Sequence, residues 1–337
     1  MVEVVVVTGG SAGIGLAAAH AFAAHGDSVG LIARGTARLA QARAGLEALG
    51  ARVHAVAADV ADADAVEAAA REIEAALGPI TVWVNNAMAT IYAPVRVADE
   101  AEIRRVTEVT YLGAVNGTKA ALRRMAGGGT IVQVSSVLAW RGAPIQAAYC
   151  GAKFALRGFT EALRSELIHD GLDVHLTMVH LPAVNTPQFD WARNRTGQRA
   201  KAPDPVYTPE TAAKAIVFAA THRRRDVWVG RQTPPTILAA RLAPGVLDRV
   251  LAKKGYEGQL DGRRQATTAG NLFEPAAGPA VAQGRFEARA RDGSREIFSS
   301  RQADAVAVGV LLSGAVGLAA LAMAPLLPLA LLRRRRC

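Results

Sequence analysis

Disulfide bonds cannot hold this fold together, because the 337-residue chain contains only two cysteines, Cys150 and Cys337. Aromatic residues are scarce, at 5%. Lysine is also scarce, with 6 lysines against 33 arginines, and we attribute this preference for arginine to a high-GC genome. With 20% charged residues and a positive mean hydropathy, the composition excludes an intrinsically disordered chain. The N-terminus lacks the basic lead and cleavage site of a secretory signal, so we expect the N-terminal part to remain in the cytoplasm.

Charge is distributed unevenly along the chain. Residues 1–250 hold 26 Lys and Arg against 22 Asp and Glu, whereas residues 251–337 hold 13 against 7. A nucleic-acid-binding domain would carry its excess over a whole basic face, so we expect no nucleic-acid partner. The seven histidines show no metal-ligand spacing alongside cysteines or acids, so no metal site is predicted.

Short apolar runs alternate with longer Ala-rich stretches, which is typical of βα units around a parallel sheet. Strands are predicted over residues 2–7, 28–33, 52–58, 80–85, 129–135, 173–179 and 226–230. Helices are predicted over residues 13–26, 36–49, 63–77, about 99–126, 149–168 and 209–221, with one more short helix near 245–254. The pattern predicts an α/β fold of Rossmann type, a doubly wound parallel sheet of about seven strands within residues 1–250.

The C-terminal part has a different character. Residues 251–304 show little periodicity and are predicted to form an irregular linker or flap. Residues 305–332 are 28 consecutive uncharged residues, longer than the roughly 20 that span a bilayer, and the basic C-terminus 333–337 follows. We expect a terminal apolar helix that associates with a membrane, either spanning it or inserting on one face. A helix docked on the protein or in a dimer interface is the alternative.

A glycine-rich turn joins the first strand to the first helix. Such a turn lets backbone N–H groups approach a pyrophosphate at the positive end of the helix dipole. The predicted nucleotide-binding residues of this turn are Thr8, Gly9, Ser11, Gly13, Ile14 and Gly15.

The end of the second predicted strand indicates which cofactor is used. A carboxylate there would bind the ribose 2′-hydroxyl of NAD, but the sequence reads Ile-Ala-Arg-Gly with Arg34 in third place. Because a guanidinium pairs well with a 2′-phosphate, we predict NADP(H) rather than NAD(H). A lone surface arginine is the alternative.

From residue 2 to about residue 230 the sequence resembles the short-chain dehydrogenase/reductase family. The resemblance rests on the glycine-rich turn, on Asn-Asn-Ala after the fourth strand, and on a Tyr-x3-Lys pair 13 residues after a serine. It implies that Asp59 and Val60 contact the adenine and that Asn86 and Ala87 lie beside the cofactor. It also implies that Thr186 contacts the nicotinamide carboxamide, that Lys153 reaches the ribose, and that the protein forms a homo-oligomer.

The candidate catalytic residues are Ser136, Tyr149 and Lys153. Tyr149 and Lys153 are four residues apart on a predicted helix, so both side chains project from one face. A nearby ammonium and an oxidised nicotinamide both favour phenolate, so we expect the tyrosine pKa to fall from its usual value near 10. Ser136 is expected to donate a hydrogen bond to the substrate oxygen as charge develops on it.

Three positions depart from the family pattern near these residues, one of them being Leu181-Pro182, which stands where the family has Pro-Gly after the sixth strand. Thr110 stands where the family has an asparagine that holds a water for a proton relay, and we include it among the candidate catalytic residues. Met88 replaces the glycine of the family's Asn-Asn-Ala-Gly turn. Further along, Phe189, Trp191 and Tyr207 are predicted to belong to a lid over an apolar substrate, or else to pack on the core.

These features together predict an NADP(H)-dependent oxidoreductase that interconverts a carbonyl and an alcohol on a small or lipophilic substrate. We expect a cytoplasmic catalytic domain held at the membrane by the C-terminal helix. A 3-oxoacyl-thioester reductase is one alternative. A nucleotide-binding scaffold or sensor with little turnover, suggested by Thr110 and Met88, is the other.

Overall fold

Each apolar run that the sequence marks as a strand contributes to one central sheet. The computed structural model describes residues 2–300. The strands of the sheet are β1 Val4–Thr8, β2 Ser28–Ala33, β3 Val53–Ala57, β4 Val82–Asn85, β6 Gly129–Ser136, β7 Val174–Leu181, β11 Asp226–Val229 and β14 Ile297–Ser299. Shorter strands, paired outside this sheet, are β5 Ile91–Tyr92, β8 Arg193–Asn194, β9 Gln198–Ala200, β10 Val206–Tyr207, β12 Leu260–Arg264 and β13 Ala290–Arg291.

The strand order is β14-β11-β7-β6-β4-β1-β2-β3, and the pairs from β3 to β11 are parallel. The chain builds outward from β1 to β3 and then crosses back to β4 on the other side of β1. This reversal leaves a crevice beyond the carboxyl ends of β1 and β4, where ligands bind in such sheets. The predicted doubly wound fold of Rossmann type is confirmed.

Helices cover both faces of the sheet, which explains why its strands are apolar throughout rather than alternating. Within residues 2–300 they are α1 Gly13–Ala24, α2 Thr36–Glu47, α3 Ala63–Leu77, α4 Glu100–Thr107, α5 Gly113–Leu122, α6 Ala147–His169, α7 Gln188–Trp191, α8 Pro209–Thr221, α9 Thr233–Leu242 and α10 Pro244–Val250. Apolar side chains of α1, α2 and α8 form a core on one face. Those of α3, the α4–α5 region and α6 form the core on the other.

The long helix predicted over about residues 99–126 is interrupted. A π-helical stretch, Glu108–Leu112, separates α4 from α5. The wider turn lies where Gly113 packs so closely on Val60 that a Cβ atom would stand 2.6 Å from the Val60 Cγ2 atom. Stretches of this kind are frequent at functional sites, and this one borders the crevice.

The C-terminal part is more ordered than the sequence indicates. The short helix expected near residues 245–254 is present as α10, which a π-helical stretch, Leu251–Gly255, continues. The additional helix α9 was not expected, because Pro234 stands in the first turn of a helix rather than in a loop. A compact unit extends to Phe298, beyond the boundary expected at residue 250. The predicted irregular linker supplies β12 and β13, which pair with β9 and β10, and its β14 is an eighth strand of the central sheet.

The expected membrane segment, residues 305–332, and the basic C-terminus lie outside the described residues. In the part of the chain that the structure describes, no helix combines the length and apolarity that crossing a bilayer requires.

Candidate active site

One large cleft lies at the carboxyl ends of the central strands, with a volume of about 460 Å³. Most of the residues predicted from the sequence line it together: Gly9, Ser11, Gly13, Ile14, Arg34, Asp59, Val60, Asn86, Ala87, Ser136, Tyr149, Lys153 and Thr186. Thr8, Gly15 and Thr110 do not line the cleft. They lie behind the lining residues and hold them in position. In residues 2–300, no group of three or more His, Cys, Asp or Glu side chains is placed to hold a metal ion.

The glycine-rich turn has a backbone that other residues could not adopt. Gly9 and Gly13 have φ angles of +68° and +54°, in the region that favours glycine. A Cβ atom on Gly15 would stand 2.3 Å from the Gly9 carbonyl oxygen and 2.4 Å from the Asn86 Nδ2 atom. Gly15 therefore allows the start of α1 to pack closely against the turn and the loop after β4, as the last glycine of a dinucleotide-binding turn does.

Thr8 fixes this turn to the neighbouring strand. Its hydroxyl accepts hydrogen bonds from the backbone N–H groups of Asn86, at 3.0 Å, and Ala87, at 3.1 Å. The Asn86 side-chain amide donates in turn to the Thr8 carbonyl oxygen at 3.0 Å. Thr8 is buried, so its role is to position the two loops that border the crevice.

Ser136, Tyr149 and Lys153 come together at the centre of the cleft. Ser136 ends β6, and its hydroxyl accepts the N–H of Leu138 at 3.1 Å. Tyr149 and Lys153 lie one turn apart on α6, with the lysine Nζ atom 5.7 Å from the centre of the tyrosine ring. Lys153 is buried and donates to the Val134 carbonyl oxygen at 2.7 Å.

Burial dominates the electrostatics of these groups. Burial raises the pKa of Tyr149 above its ordinary value, Cys150 adds to the effect, and a hydrogen bond with Ser136 opposes it. The expected lowering of the tyrosine pKa is therefore not found in the protein alone. Burial also lowers the pKa of Lys153 to about 8.

Thr110 does not reach the cleft. Its buried hydroxyl accepts the N–H of Ala89 and donates to the carbonyl oxygen of the same residue, both at 2.9 Å. These bonds fix the loop that follows Ala87 and use the hydroxyl hydrogen, which leaves no donor for a relay water. The geometry therefore gives Thr110 a positioning role in place of the expected catalytic one.

Two arginines that were not predicted from the sequence support the adenosine end of the cleft: Arg38 lines it, and Arg105 contacts the lining residue Asp59. Arg38 lies one turn after Arg34 at the start of α2, and Arg105 on α4 pairs with Asp59. Burial of Asp59 works against ionisation, but the N–H of Ala61 and the Arg105 guanidinium outweigh it and lower the pKa of Asp59. The four-residue spacing of Arg34 and Arg38 could have identified Arg38 beforehand, whereas nothing local marks Arg105.

The other end of the cleft is predominantly apolar and suits a substrate. Its walls include the side chains of Met88, Tyr92, Leu138, Phe189 and Leu251. Trp191 of the predicted lid also lines the cleft. Tyr207, expected in the same lid, is instead fully buried and hydrogen-bonds to Glu296 at 2.6 Å.

Comparison with known proteins agrees with this architecture. The family model for short chain dehydrogenases matches residues 3–196. The uncharacterized oxidoreductase YxnA of Bacillus subtilis is 33% identical over 261 residues, covering 76% of this chain and 73% of its own. The 3-dehydrosphinganine reductase TSC10B of Arabidopsis thaliana is 37% identical over 192 residues, covering 55% of this chain and 56% of its own.

A solved structure shows the same fold. The alcohol dehydrogenase of Thermococcus sibiricus, complexed with 5-hydroxy-NADP, superimposes with a TM-score of 0.60 at 26% identity, covering 68% of this chain and 96% of that one. The matched family model covers more than half of the chain, and the matched region includes the glycine-rich turn, the serine and the Tyr-x3-Lys pair. The chain therefore belongs to the short-chain dehydrogenase/reductase family of oxidoreductases.

Proposed function

We propose that this protein is an NADP(H)-dependent oxidoreductase that interconverts a carbonyl and an alcohol, with Ser136, Tyr149 and Lys153 as its catalytic residues. The observation that carries the proposal is their shared position. All three line one cleft with the glycine-rich turn, and Lys153 lies one helical turn from Tyr149 with its Nζ atom 5.7 Å from the centre of the tyrosine ring.

The cleft fits a dinucleotide. The glycine-rich turn joins β1 to the amino end of α1 and lines the cleft, and Gly15 lets the helix start close to the turn, which supports binding of a pyrophosphate there. The residues proposed to contact the cofactor all line the cleft: Gly9, Ser11, Gly13, Ile14, Arg34, Asp59, Val60, Asn86, Ala87, Tyr149, Lys153 and Thr186. Thr8 and Gly15 are proposed to act from behind the lining, by shaping the glycine-rich turn. A bound nicotinamide supplies or accepts the hydride of the reaction.

In the direction of reduction, Ser136 and Tyr149 donate hydrogen bonds to the carbonyl oxygen of the substrate. The phenol of Tyr149 transfers its proton to that oxygen as negative charge develops there. Because burial raises the tyrosine pKa, the proton is in place before the reaction starts. Lys153, with a pKa of about 8, is mostly an ammonium at pH 7, and its charge stabilises the phenolate that remains.

NADP(H) is proposed rather than NAD(H) because Arg34 follows β2 where an acidic residue would select a 2′-hydroxyl. Burial lowers the pKa of Arg34, the Asp59 carboxylate opposes this, and the guanidinium stays charged. Arg34→Ala is expected to lower kcat/KM with NADPH by roughly 10- to 100-fold, the value of a charge-assisted pair, and to leave kcat/KM with NADH nearly unchanged. Equal losses with both cofactors would contradict the assignment.

A small or lipophilic substrate is proposed from the apolar wall of the cleft. The relative named as a 3-dehydrosphinganine reductase gives a second reason to expect reduction of a ketone. A 3-oxoacyl thioester is the alternative substrate. A nucleotide-binding scaffold with little turnover is the alternative function, favoured by Met88 in the cleft wall.

The experiment is a screen of NADPH oxidation by the purified full-length protein. The panel contains aldehydes, ketones, 3-oxoacyl thioesters and steroid-like ketones, each tested with NADPH and NADH. Turnover of at least one ketone or aldehyde with NADPH supports the proposal. Tight NADPH binding without turnover of any member favours the scaffold, and turnover of thioesters alone favours the alternative substrate.

Membrane association of a cytoplasmic enzyme through residues 305–332 is also proposed, and the described residues offer one supporting feature. Beside the cleft, α9 and α10 expose Leu238, Leu242, Val246 and Val250 at 56%, 75%, 59% and 43%. Basic side chains accompany them at Arg249, Lys253 and Lys254. Exposed apolar residues and basic residues on one segment suit the surface of an anionic bilayer.

Cosedimentation of the full chain with phosphatidylglycerol vesicles tests this association. We expect binding that is stronger than to phosphatidylcholine and is weakened in Leu242→Glu but not in Ile168→Glu, a control at a side chain 80% exposed elsewhere. A protein that stays in the supernatant contradicts the proposal.

A homo-oligomer is proposed from the family resemblance. Two exposed apolar side chains support it, because a subunit interface would cover them: Phe154 on α6, 43% exposed, and Leu112 beside this helix, 42% exposed. Light scattering of the purified protein tests it, and a monomer would contradict it.

A further inference from the structure

A segment of the C-terminal extension, residues 271–282, crosses the adenosine end of the cleft, and we call it the strap. The strap contains no helix or strand. Its inner side is anchored by Leu272, which is fully buried in the core beside α3 and α4. Asn271, Pro275 and Ala276 line the same cleft as the glycine-rich turn. The strap is therefore a wall of the nucleotide site, although it lies more than 230 residues after Arg34 in the sequence.

Arginine side chains hold the backbone carbonyl groups of the strap. Arg34 donates to the carbonyl oxygens of Asn271 at 2.6 Å, Phe273 at 2.7 Å and Leu272 at 3.3 Å. Arg38 donates to Ala276 and Gly278, and Arg105 donates to Leu272. The guanidinium groups replace the hydrogen bonds that a helix or a sheet would supply to the backbone of the strap.

The far end of the strap is fastened to the nucleotide-binding elements themselves. The Ala280 N–H donates to the Gln41 side chain of α2 at 3.0 Å. The Gly13 N–H donates to the Val281 carbonyl oxygen at 2.9 Å. The strap thus connects both positively polarised parts of the site, the arginine after β2 and the amino end of α1.

The bonds from Arg34 to the strap use one edge of its guanidinium. Both N–H groups of Nη1 and one of Nη2 point to carbonyl oxygens of the strap. Among residues 2–300, no acceptor is bonded to the Nε atom of Arg34, so the Nε–Nη2 edge is available. A guanidinium binds a phosphate through two parallel N–H groups of this kind.

We infer that the strap is a positioning segment for cofactor selection: it fixes Arg34 so that its Nε–Nη2 edge receives the 2′-phosphate of NADP(H). This inference rests on the proposed use of NADP(H). A free arginine side chain loses rotamer freedom when it binds an anion, and the strap removes much of that loss in advance. By linkage, a ligand with a 2′-phosphate must in turn stabilise the position of the strap in which its carbonyl groups are bonded to Arg34.

The test compares two adenosine phosphates by calorimetry on the full chain, without any nicotinamide. 2′,5′-ADP carries the 2′-phosphate, and 5′-AMP does not. Leu272→Ala removes the buried anchor of the strap. Leu260→Ala makes the same change at a buried leucine of β12, outside the strap, and serves as the matched control.

We expect Leu272→Ala to weaken 2′,5′-ADP binding about tenfold, as the partial loss of a charge-assisted pair would, and to leave 5′-AMP binding within twofold. Leu260→Ala is expected to change neither. An unchanged ratio of the two affinities in Leu272→Ala overturns the inference. Failure of the wild type to prefer 2′,5′-ADP would instead contradict the proposed cofactor.

A second measurement on the wild type covers the case in which Leu272→Ala does not fold. Hydrogen exchange of backbone amides in the strap is followed with saturating 2′,5′-ADP and with saturating 5′-AMP. We expect 2′,5′-ADP to slow exchange in the strap severalfold more than 5′-AMP does, because the 2′-phosphate stabilises the position in which the strap is bonded to Arg34. Equal protection by the two ligands overturns the inference.

Discussion

Replacing Gly15 with alanine tests the glycine-rich turn most sharply. An added Cβ atom would lie 2.3 Å from the Gly9 carbonyl oxygen, so reaching a 3.0 Å contact requires a movement of about 0.7 Å. Helix propensity alone favours alanine by ~1 kcal/mol, but crowding of this kind costs about 1–3 kcal/mol. We expect the free energy of unfolding to fall by about 1 kcal/mol. NADPH affinity should fall about tenfold, the equivalent of ~1.4 kcal/mol, because the shift displaces the backbone amides at the amino end of α1.

Gly45→Ala is the matched control, at another helical glycine. A Cβ atom there would meet nothing closer than the His20 Cε1 atom at 4.0 Å. This variant should gain up to about 1 kcal/mol in unfolding free energy and keep its NADPH affinity. The assays are urea unfolding and fluorescence titration with NADPH. The reasoning would be refuted if Gly15→Ala matched Gly45→Ala in both stability and affinity.

Two further substitutions test the surroundings of the catalytic residues. Thr110→Val leaves both backbone groups of Ala89 without a partner, and urea unfolding should show a loss of about 2 kcal/mol that Thr110→Ser restores. Unchanged stability with a large loss of kcat would indicate the relay role instead. Lys153→Met removes a buried lysine whose pKa is about 8 in the folded protein and near 10.4 in the unfolded chain. At a pH between these two pKa values, the wild type takes up a proton when it unfolds. The wild type should therefore gain stability over this variant as pH rises from 8 to 10, by ~1 kcal/mol per pH unit, and a constant difference would contradict the shift.

The sequence predicts the centre of this fold well, for a physical reason. Strands such as Val4–Thr8 and Val82–Asn85 are buried on both faces, so their apolar runs identify them without any knowledge of their neighbours. The glycine-rich turn and the Tyr149–Lys153 pair are equally local, because each depends on a spacing of a few residues. The cleft gathers these local motifs because the carboxyl ends of parallel strands share one edge of the sheet.

What the sequence did not predict depends on contacts between distant parts of the chain. Arg34 bonds to carbonyl groups 237–239 residues away, in a segment without periodicity. Backbone carbonyls carry no signature of their own residue type, so the strap could not be recognised from composition. The pKa of Tyr149 lies above its ordinary value, whereas the sequence predicted a lower one, for a similar reason. The shift comes from burial, and burial depends on side chains from several separate elements.

The central claim is that Tyr149 supplies the proton in an NADPH-dependent reduction. Stopped-flow measurement of NADPH oxidation by wild type and Tyr149→Phe, with the best carbonyl substrate from the screen, tests it directly. Tyr149→Phe keeps the aromatic ring, so we expect it still to bind NADPH, whereas its rate of NADPH oxidation at saturating NADPH should fall by about 10²- to 10⁴-fold, the usual contribution of a general acid. Oxidation by Tyr149→Phe at a rate close to that of the wild type would contradict it.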